Sequence, residues 1–184
     1  MHKSPFLELV SKRRSIRKYK PAAVEQEKLL ACFEAARLAP SACNAQPYRF
    51  IAVCEPALRE KLSASAFSGV YSVCRFAAKA PVLICVVSER GKASAWLGNQ
   101  VQGTDFRLID IGIAAEHFVL AAAELGLGSC WLGWFNAAAA ARALGLGAGG
   151  KVEIMISVGY PDEDPPPRKR KSMDVFSAFN GSLK

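Results

Sequence analysis

Residues 13–17, with the sequence RRSIR, carry side chains that could bind a compact anion together. Alternate residues of an extended segment point to the same side, so Arg13, Ser15 and Arg17 could converge on one ligand. Guanidinium groups bind phosphate through two parallel hydrogen bonds, and a serine hydroxyl adds a further donor. The alternative interpretation of this segment is the solvated basic end of a helix.

A second basic segment, RKRK at residues 168–171, follows a run of three prolines. Arg168 and Arg170 are two residues apart, so an extended backbone would place both on one side. The alternative interpretation is a solvated or disordered tail. Because its chemistry matches that of residues 13–17, we expect the two segments to close one phosphate site from opposite ends of the chain.

The loop at residues 40–47, PSACNAQP, is rich in small and amide side chains. Asn44 and Gln46 each carry both a hydrogen-bond donor and an acceptor. This combination suits a ligand edge that mixes imide and carbonyl groups, such as a flavin pyrimidine ring, or ribityl hydroxyls. The alternative is a turn whose amides bond to their own backbone.

The net charge of +8, from 24 basic and 16 acidic residues, would be typical of a protein that binds nucleic acid or a membrane surface. Residues 1–20 hold seven of the bases with one acid, and residues 168–171 hold four more, which leaves 13 bases and 15 acids elsewhere. The excess therefore lies in two short clusters, in which we expect no interleaved exposed aromatic residues. This distribution favours a compact anionic ligand, and a nucleic-acid-binding module with salt-dependent affinity remains the less favoured alternative.

Membrane, secreted and zinc-binding classes are not favoured by the sequence. The longest apolar runs are too short for a membrane span, and the N-terminus lacks the features of a signal peptide, so we expect no membrane partner and a cytoplasmic location. Six cysteines without a C-x-x-C pair and only two histidines predict no metal site. We expect the cysteines to be buried, reduced thiols.

The apolar pattern predicts helices and strands that alternate along residues 1–184, which indicates one α/β or α+β domain with helices packed on a small sheet. Residues 105–125 form the longest predicted helix. Its apolar surface wraps most of the circumference, which is typical of a central helix or a subunit interface. The remaining predicted helices cover residues 4–13, 25–38, 56–66 and 137–144, and the predicted strands cover residues 48–54, 82–88 and 151–160.

Four segments in this order resemble the FMN-dependent nitroreductase family. They are RRSIRKY, APSACNAQPYRFIAV, IDIGIAAEHFVLAAAELGLGSCWLGWF and ISVGYPDEDPPPRKRKSMDVF. The resemblance covers nearly the whole chain. It implies a three-layer α+β fold, in which a small mixed or antiparallel sheet is flanked by helices. It also implies an intertwined homodimer with two FMN molecules at the subunit interface.

The resemblance further implies which residues contact FMN. Arg13 would face the phosphate, Arg17 the N1/O2 side of the ring, and the loop at residues 40–47 would come from the partner subunit. The segment at residues 131–133 would pass along the flavin face with backbone contacts. The implied cofactor-binding residues are Arg13, Arg14, Ser15, Arg17, Ser41, Asn44, Gln46, Trp131, Leu132, Gly133, Arg168 and Arg170.

The activity implied by the resemblance is hydride transfer from NADH or NADPH through flavin N5 to a nitroaromatic, a quinone or a similar electron-poor acceptor, with ping-pong kinetics. FMN carries the chemistry, so no catalytic side chain is assigned. Other chemistries occur on the same fold, namely reductive dehalogenation, azoline oxidation and flavin fragmentation. A flavin-binding protein without turnover is a further alternative.

Overall fold

A computed structural model describes residues 4–89, 103–147 and 149–181. The polar, glycine-containing sequence of residues 89–104, around Trp96, predicts a loop, and most of this segment lies outside the described ranges. The helices are α1 (Pro5–Lys12), α2 (Gln26–Arg37), α3 (Pro56–Ala66), α4 (Phe106–Glu124), α5 (Ala137–Ala143) and α6 (Met173–Phe176), and two 3-10 helices span Ala42–Asn44 and Gly69–Lys79. The strands are β1 (Tyr48–Val53), β2 (Val82–Ser88), β3 (Gly128–Leu132) and β4 (Lys151–Gly159).

Polar side chains fix where several helices begin. The Ser4 hydroxyl accepts a hydrogen bond from the backbone of Leu7, 3.1 Å away, at the start of α1. The side chain of Asp105 accepts from Arg107 N at 3.1 Å, and that of Asn136 from Ala139 N at 3.0 Å, at the starts of α4 and α5. Each cap satisfies a backbone N–H that has no partner within its own helix.

The four strands form one antiparallel sheet in the order β1-β2-β4-β3. Strand β2 is buried on both faces, as its uninterrupted apolar sequence predicts. Its side chains alternate, so Val82, Ile84 and Val86 pack against α2 and α4. Leu83, Cys85 and Val87 pack against α3, α5 and the Gly69–Lys79 helix. The sheet is therefore a middle layer between two helical layers, and the predicted α+β fold is confirmed.

A bulge in β4 keeps both faces apolar. Pairing with β2 shifts between Val86 and Val87, whose partners are Ile154 and Val152. Glu153 is the extra residue in this register. Without it, strict alternation would put Val152 and Met155 on opposite faces, whereas both lie in the same cluster.

Three features differ from the sequence predictions. Residues 129–135, SCWLGWF, are a short apolar stretch that falls in none of the predicted strands, but they contain most of the edge strand β3. The 3-10 helix Gly69–Lys79 was not predicted. Cys43 and Cys54 are exposed, so the prediction of buried thiols is wrong for these two, while the other four cysteines are buried. Within the described ranges, none of the helices is long and apolar enough to cross a bilayer.

Candidate functional site

The N-terminal basic segment lies against the edge of the sheet. Ile16 N donates a hydrogen bond to Ser129 O at 2.9 Å, and Ser15 forms a parallel bridge with Ser129. A Cβ atom at Gly128 would lie 2.7–2.9 Å from three atoms of the Ile16 side chain. The glycine therefore allows the backbone of β3 to approach this segment closely.

The chain after β4 pairs with the same N-terminal segment. Lys20 N donates to Tyr160 O at 2.9 Å, and Asp162 N donates to Lys18 O at 3.0 Å. The Glu163 carboxylate accepts from Lys18 N at 3.2 Å and also from Arg17 N. These bonds hold two segments that are far apart in sequence side by side.

A cavity of about 150 Å³ lies between these two segments. Its lining residues are Arg13, Arg14, Ser15, Pro165, Pro166, Arg168 and Arg170. The structure thus brings together the arginines and the serine that the sequence placed at opposite ends of the chain. Four arginines line this small space, and their positive charges favour a compact, multiply charged anion.

Arg14, which lines this cavity, has one side-chain donor without a partner. Its NH1 group donates to the carbonyl of Arg13 at 3.0 Å and to that of Ser11. The buried Nε–H has no hydrogen-bond partner. A buried donor without a partner costs about 1–3 kcal/mol, and a phosphate oxygen that reached this Nε–H would remove the cost. Residues and chemistry therefore fit the phosphate group that the family resemblance implies.

Arg13 and Arg17 have partners of their own. Arg13 Nε lies 3.8 Å from the carboxylate of Glu116 on α4. Arg17 donates from NH1 to Ser15 O at 3.2 Å, and its guanidinium carbon lies 5.7 Å from the centre of the Phe76 ring. Arg17 is exposed and does not line the cavity, so it lies beside the arginine cluster.

The amide loop has an unusual backbone. Cys43, Asn44 and Gln46 have φ angles of 51°, 50° and 46°, in the left-handed region that L residues rarely adopt. Gln46 N donates to the Ser41 hydroxyl at 3.0 Å, and Gln46 Nε2 donates to Asn44 Oδ1 at 2.9 Å. The side chains of Asn44 and Gln46 are exposed. None of the loop residues lines the arginine cavity of the same chain.

A buried carboxylate holds this loop. Asp110 on α4 is 4% exposed and accepts a hydrogen bond from Ala42 N at 3.0 Å. Sequence reasoning missed this residue. The signal was its spacing, because Asp110 falls four and eight residues before the buried Ala114 and Phe118, and an acid on a buried helix face requires a partner.

The family model for the nitroreductase family matches residues 10–73 and 72–160. The chain belongs to the nitroreductase family. The predicted family is therefore confirmed. Arg168 and Arg170 lie beyond the matched residues, so their place in the site rests on the geometry described above.

Relatives of this nitroreductase-family chain include a protein of Archaeoglobus fulgidus, provisionally named an NADH dehydrogenase/NAD(P)H nitroreductase, which is 34% identical over 127 residues covering 69% of this chain. A protein of the same name from Methanothermobacter thermautotrophicus is 33% identical over 131 residues, or 71% of this chain. The chain spans 66% and 62% of the lengths of these relatives, slightly under two thirds. A solved structure described as an FMN-dependent nitroreductase from Clostridium difficile is 30% identical, has a TM-score of 0.75, and covers 96% of this chain and 99% of its own.

Residues 131–133, which the family resemblance places along the flavin face, could contact a ligand mainly through their backbone. The Leu132 side chain is 1% exposed and packs into the core, while Trp131 is half-buried on the other face of the sheet. Gly133 is exposed. The next residue, Trp134, donates from Nε1 to Val70 O at 2.9 Å. This bond joins the end of β3 to the 3-10 helix Gly69–Lys79.

Two buried groups near the N-terminal basic segment, the thiol of Cys130 and the hydroxyl of Tyr19, stay protonated because of their burial. Burial raises the pKa of Cys130, and the hydrogen bond with Ser15 and the charge of Arg17 offset only part of the effect. Burial likewise raises the pKa of Tyr19, whose hydroxyl lies 2.7 Å from Ser157 Oγ. These groups therefore favour their neutral forms at neutral pH, and Cys130 does not present a reactive thiolate.

Proposed function

We propose that this chain is an FMN-dependent oxidoreductase, which takes hydride from NADH or NADPH and reduces a nitroaromatic, a quinone or a similar small electron-poor acceptor. The observation that carries the proposal is the four-arginine cavity with the unpartnered Nε–H of Arg14. The family assignment and the FMN-dependent relative from Clostridium difficile support it. When bound, FMN supplies the hydride acceptor and donor at N5, which no protein side chain provides.

In this proposal the residues of the chain bind and orient the cofactor. Arg13, Arg14, Arg168 and Arg170 hold the phosphate, with Ser15 as an additional donor. Arg17 lies outside the cavity, and we assign it to the pyrimidine side of the ring. A fixed positive charge there stabilises negative charge on the reduced ring, which raises the reduction potential.

We also propose that the active form is a homodimer, in which the loop at residues 41–46 serves the partner's cofactor. The loop lies outside the arginine cavity of its own chain, yet Asp110 holds it in a strained shape. Among the described large apolar side chains that are about half or more exposed, eight lie on α1, near the start of α4 and on the C-terminal segment. They are Phe6, Leu7, Leu108, Ile109, Met173, Val175, Phe176 and Phe179. A second copy that covered them would remove this apolar area from water.

An absorbance spectrum of the purified protein tests the cofactor. We expect a flavin spectrum, and we expect FMN in the supernatant after denaturation. NADH and NADPH oxidation is then measured against a panel of nitroaromatic and quinone acceptors. A colourless protein that FMN does not reconstitute would overturn the proposal, and a flavoprotein that oxidises neither nicotinamide would limit it to flavin binding.

A further inference from the structure

We infer that Glu163 is a positioning residue. Its carboxylate holds together the two segments that line the arginine cavity, residues 13–18 and residues 162–170, which we call its two arms. The inference rests on the proposed FMN site and adds to it a residue that has the wrong charge to bind a phosphate itself. Arg17 N and Lys18 N both donate to one oxygen of Glu163, across a sequence separation of about 145 residues.

The contact is specific to this acid. Two successive backbone N–H groups directed at one point form a concavity that binds anions, and here the carboxylate of the chain itself fills it. Glu163 is partly buried, whereas its acidic neighbours Asp162 and Asp164 are exposed. Glu163 is therefore part of the packed structure, and its neighbours meet solvent.

The position of Glu163 explains how its bonds to Arg17 and Lys18 affect the shape of the cavity. Arg17 follows Ser15 by two residues, and Glu163 precedes Pro165 by two residues, so the bond lies where both arms enter the cavity. Proline fixes its own φ angle, so Pro165 and Pro166 make a stiff connection from Glu163 towards the arginines beyond them. Anchoring both arms in advance lowers the ordering cost of binding a phosphate.

The sign of the effect separates positioning from simple electrostatics. Removing a negative charge near a phosphate strengthens the binding of FMN if charge alone matters. Loss of the anchor weakens it. We therefore compare Glu163→Gln and Glu163→Ala with Asp164→Asn, which removes the same charge one residue further along at an exposed position.

The measurement is the Kd of FMN and of riboflavin, which has the same ring and ribityl chain but no phosphate. We expect FMN binding to weaken about tenfold in Glu163→Ala and less in Glu163→Gln, which keeps one acceptor oxygen. Riboflavin binding stays within about twofold, and Asp164→Asn leaves FMN binding unchanged or tighter. Unchanged or tighter FMN binding in Glu163→Ala, or an equal loss for riboflavin, overturns the inference.

Amide hydrogen exchange in the FMN-free protein tests the anchor without any flavin. We expect the Arg17 and Lys18 amides to exchange faster in Glu163→Ala than in the unmodified chain and in Asp164→Asn. Unchanged exchange overturns the inference. If instead the unmodified chain binds no FMN while this exchange pattern is observed, the proposed function fails and the anchor remains.

Discussion

Arg14 combines two properties at the residue scale, since it lines the cavity and its buried Nε–H has no hydrogen-bond partner. Arg13, by comparison, has a carboxylate of Glu116 at 3.8 Å. A ligand oxygen that accepts from Arg14 makes a charge-assisted bond and also satisfies a buried donor. Arg14 should therefore contribute strongly to the affinity for an anion.

We predict that Arg14→Ala weakens FMN binding by roughly 10–100-fold, because a hydrogen bond to a charged group contributes about 1.5–3 kcal/mol. Titration of the FMN-free protein with FMN gives the Kd. Arg142→Ala is the matched control, since Arg142 is exposed on α5 and does not line the cavity, and its Kd should stay within about twofold. Equal losses in the two variants would remove Arg14 from the site.

The arginines that line the cavity stand out in the sequence, whereas two acids that hold backbone segments in place do not. Arg13 and Arg168 belong to basic clusters, and their chemistry is visible in the residue type. Glu163 and Asp110 act through the backbone groups that they meet, and only the fold brings Arg17 and Ala42 to them. A side chain whose partner is a distant backbone N–H leaves little trace in local spacing.

At the element scale, the strands and long helices follow the sequence pattern closely. Strand β2 at Val82–Ser88 has the predicted bounds, and α4 at Phe106–Glu124 lies within the predicted helix 105–125. The Gly69–Lys79 helix was missed because a 3-10 helix does not repeat every 3.6 residues. Strand β3 was missed because it is only five residues long and because its pairing with β4 is not visible in the local sequence.

We predict that the free energy of unfolding falls steeply above pH 9, because two buried thiols, one on each face of the sheet, resist deprotonation in the folded state. Burial raises the pKa of Cys32 to about 11 and that of Cys85 to about 12, from an ordinary value of 9.0. The folded state then keeps protons that the unfolded chain releases. This stabilisation is complete below pH 9 and is lost as the pH rises through 11–12, at up to about 1.4 kcal/mol per pH unit for each thiol.

Urea unfolding at several pH values between 8 and 10.5 measures this slope. In the double variant Cys32→Ala/Cys85→Ala, the free energy of unfolding should fall less steeply with pH. This holds even if the lost packing lowers its value at pH 8. Cys43→Ala, at an exposed position, should keep the slope of the unmodified chain. An identical slope in the double variant would contradict the assignment to these two thiols.

We predict that Gly128→Ala disturbs the cofactor site from the edge of β3. The added Cβ would overlap Ile16 at 2.7–2.9 Å, so the segment that carries Arg13 to Ser15 must shift. Overpacking of this kind costs about 1–3 kcal/mol in the free energy of unfolding, and FMN binding should weaken as well. Gly147→Ala is the control, because no atom lies within 4 Å of its added Cβ.

Urea unfolding and the Kd of FMN measure the two effects of Gly128→Ala. An unchanged Kd together with an unchanged free energy of unfolding would show that the N-terminal segment does not depend on this close approach.

At the scale of the whole molecule, the proposed dimer explains two observations together. Exposed apolar residues lie near the start of α4 and on the C-terminal segment, and the Asp110-held loop lies outside the cavity of its own chain. The sequence indicated such a surface through the apolar circumference of residues 105–125. The arrangement of two copies depends on contacts that one chain does not contain.

We predict that the purified protein sediments as a dimer and that Ile109→Asp dissociates it, because a charge at a buried interface is costly. Ile109 is 47% exposed in the single chain. Ala138→Asp adds the same charge at an exposed position on α5, at the other face of the sheet, and should remain dimeric. A monomeric unmodified protein that binds FMN normally would contradict the shared site.

The bond between Arg17 and Glu163 joins positions 146 residues apart, and this separation affects the order in which the site forms during synthesis. Ribosomes add about 5–20 residues per second, so the N-terminal arm waits roughly 7–30 s for the residue that anchors it. A nascent chain halted at residue 150 would carry Arg13 and Arg14 but no opposing arm. Tight cofactor loading therefore follows synthesis of the C-terminal segment, and long-range closure of this kind folds slowly compared with local helix formation.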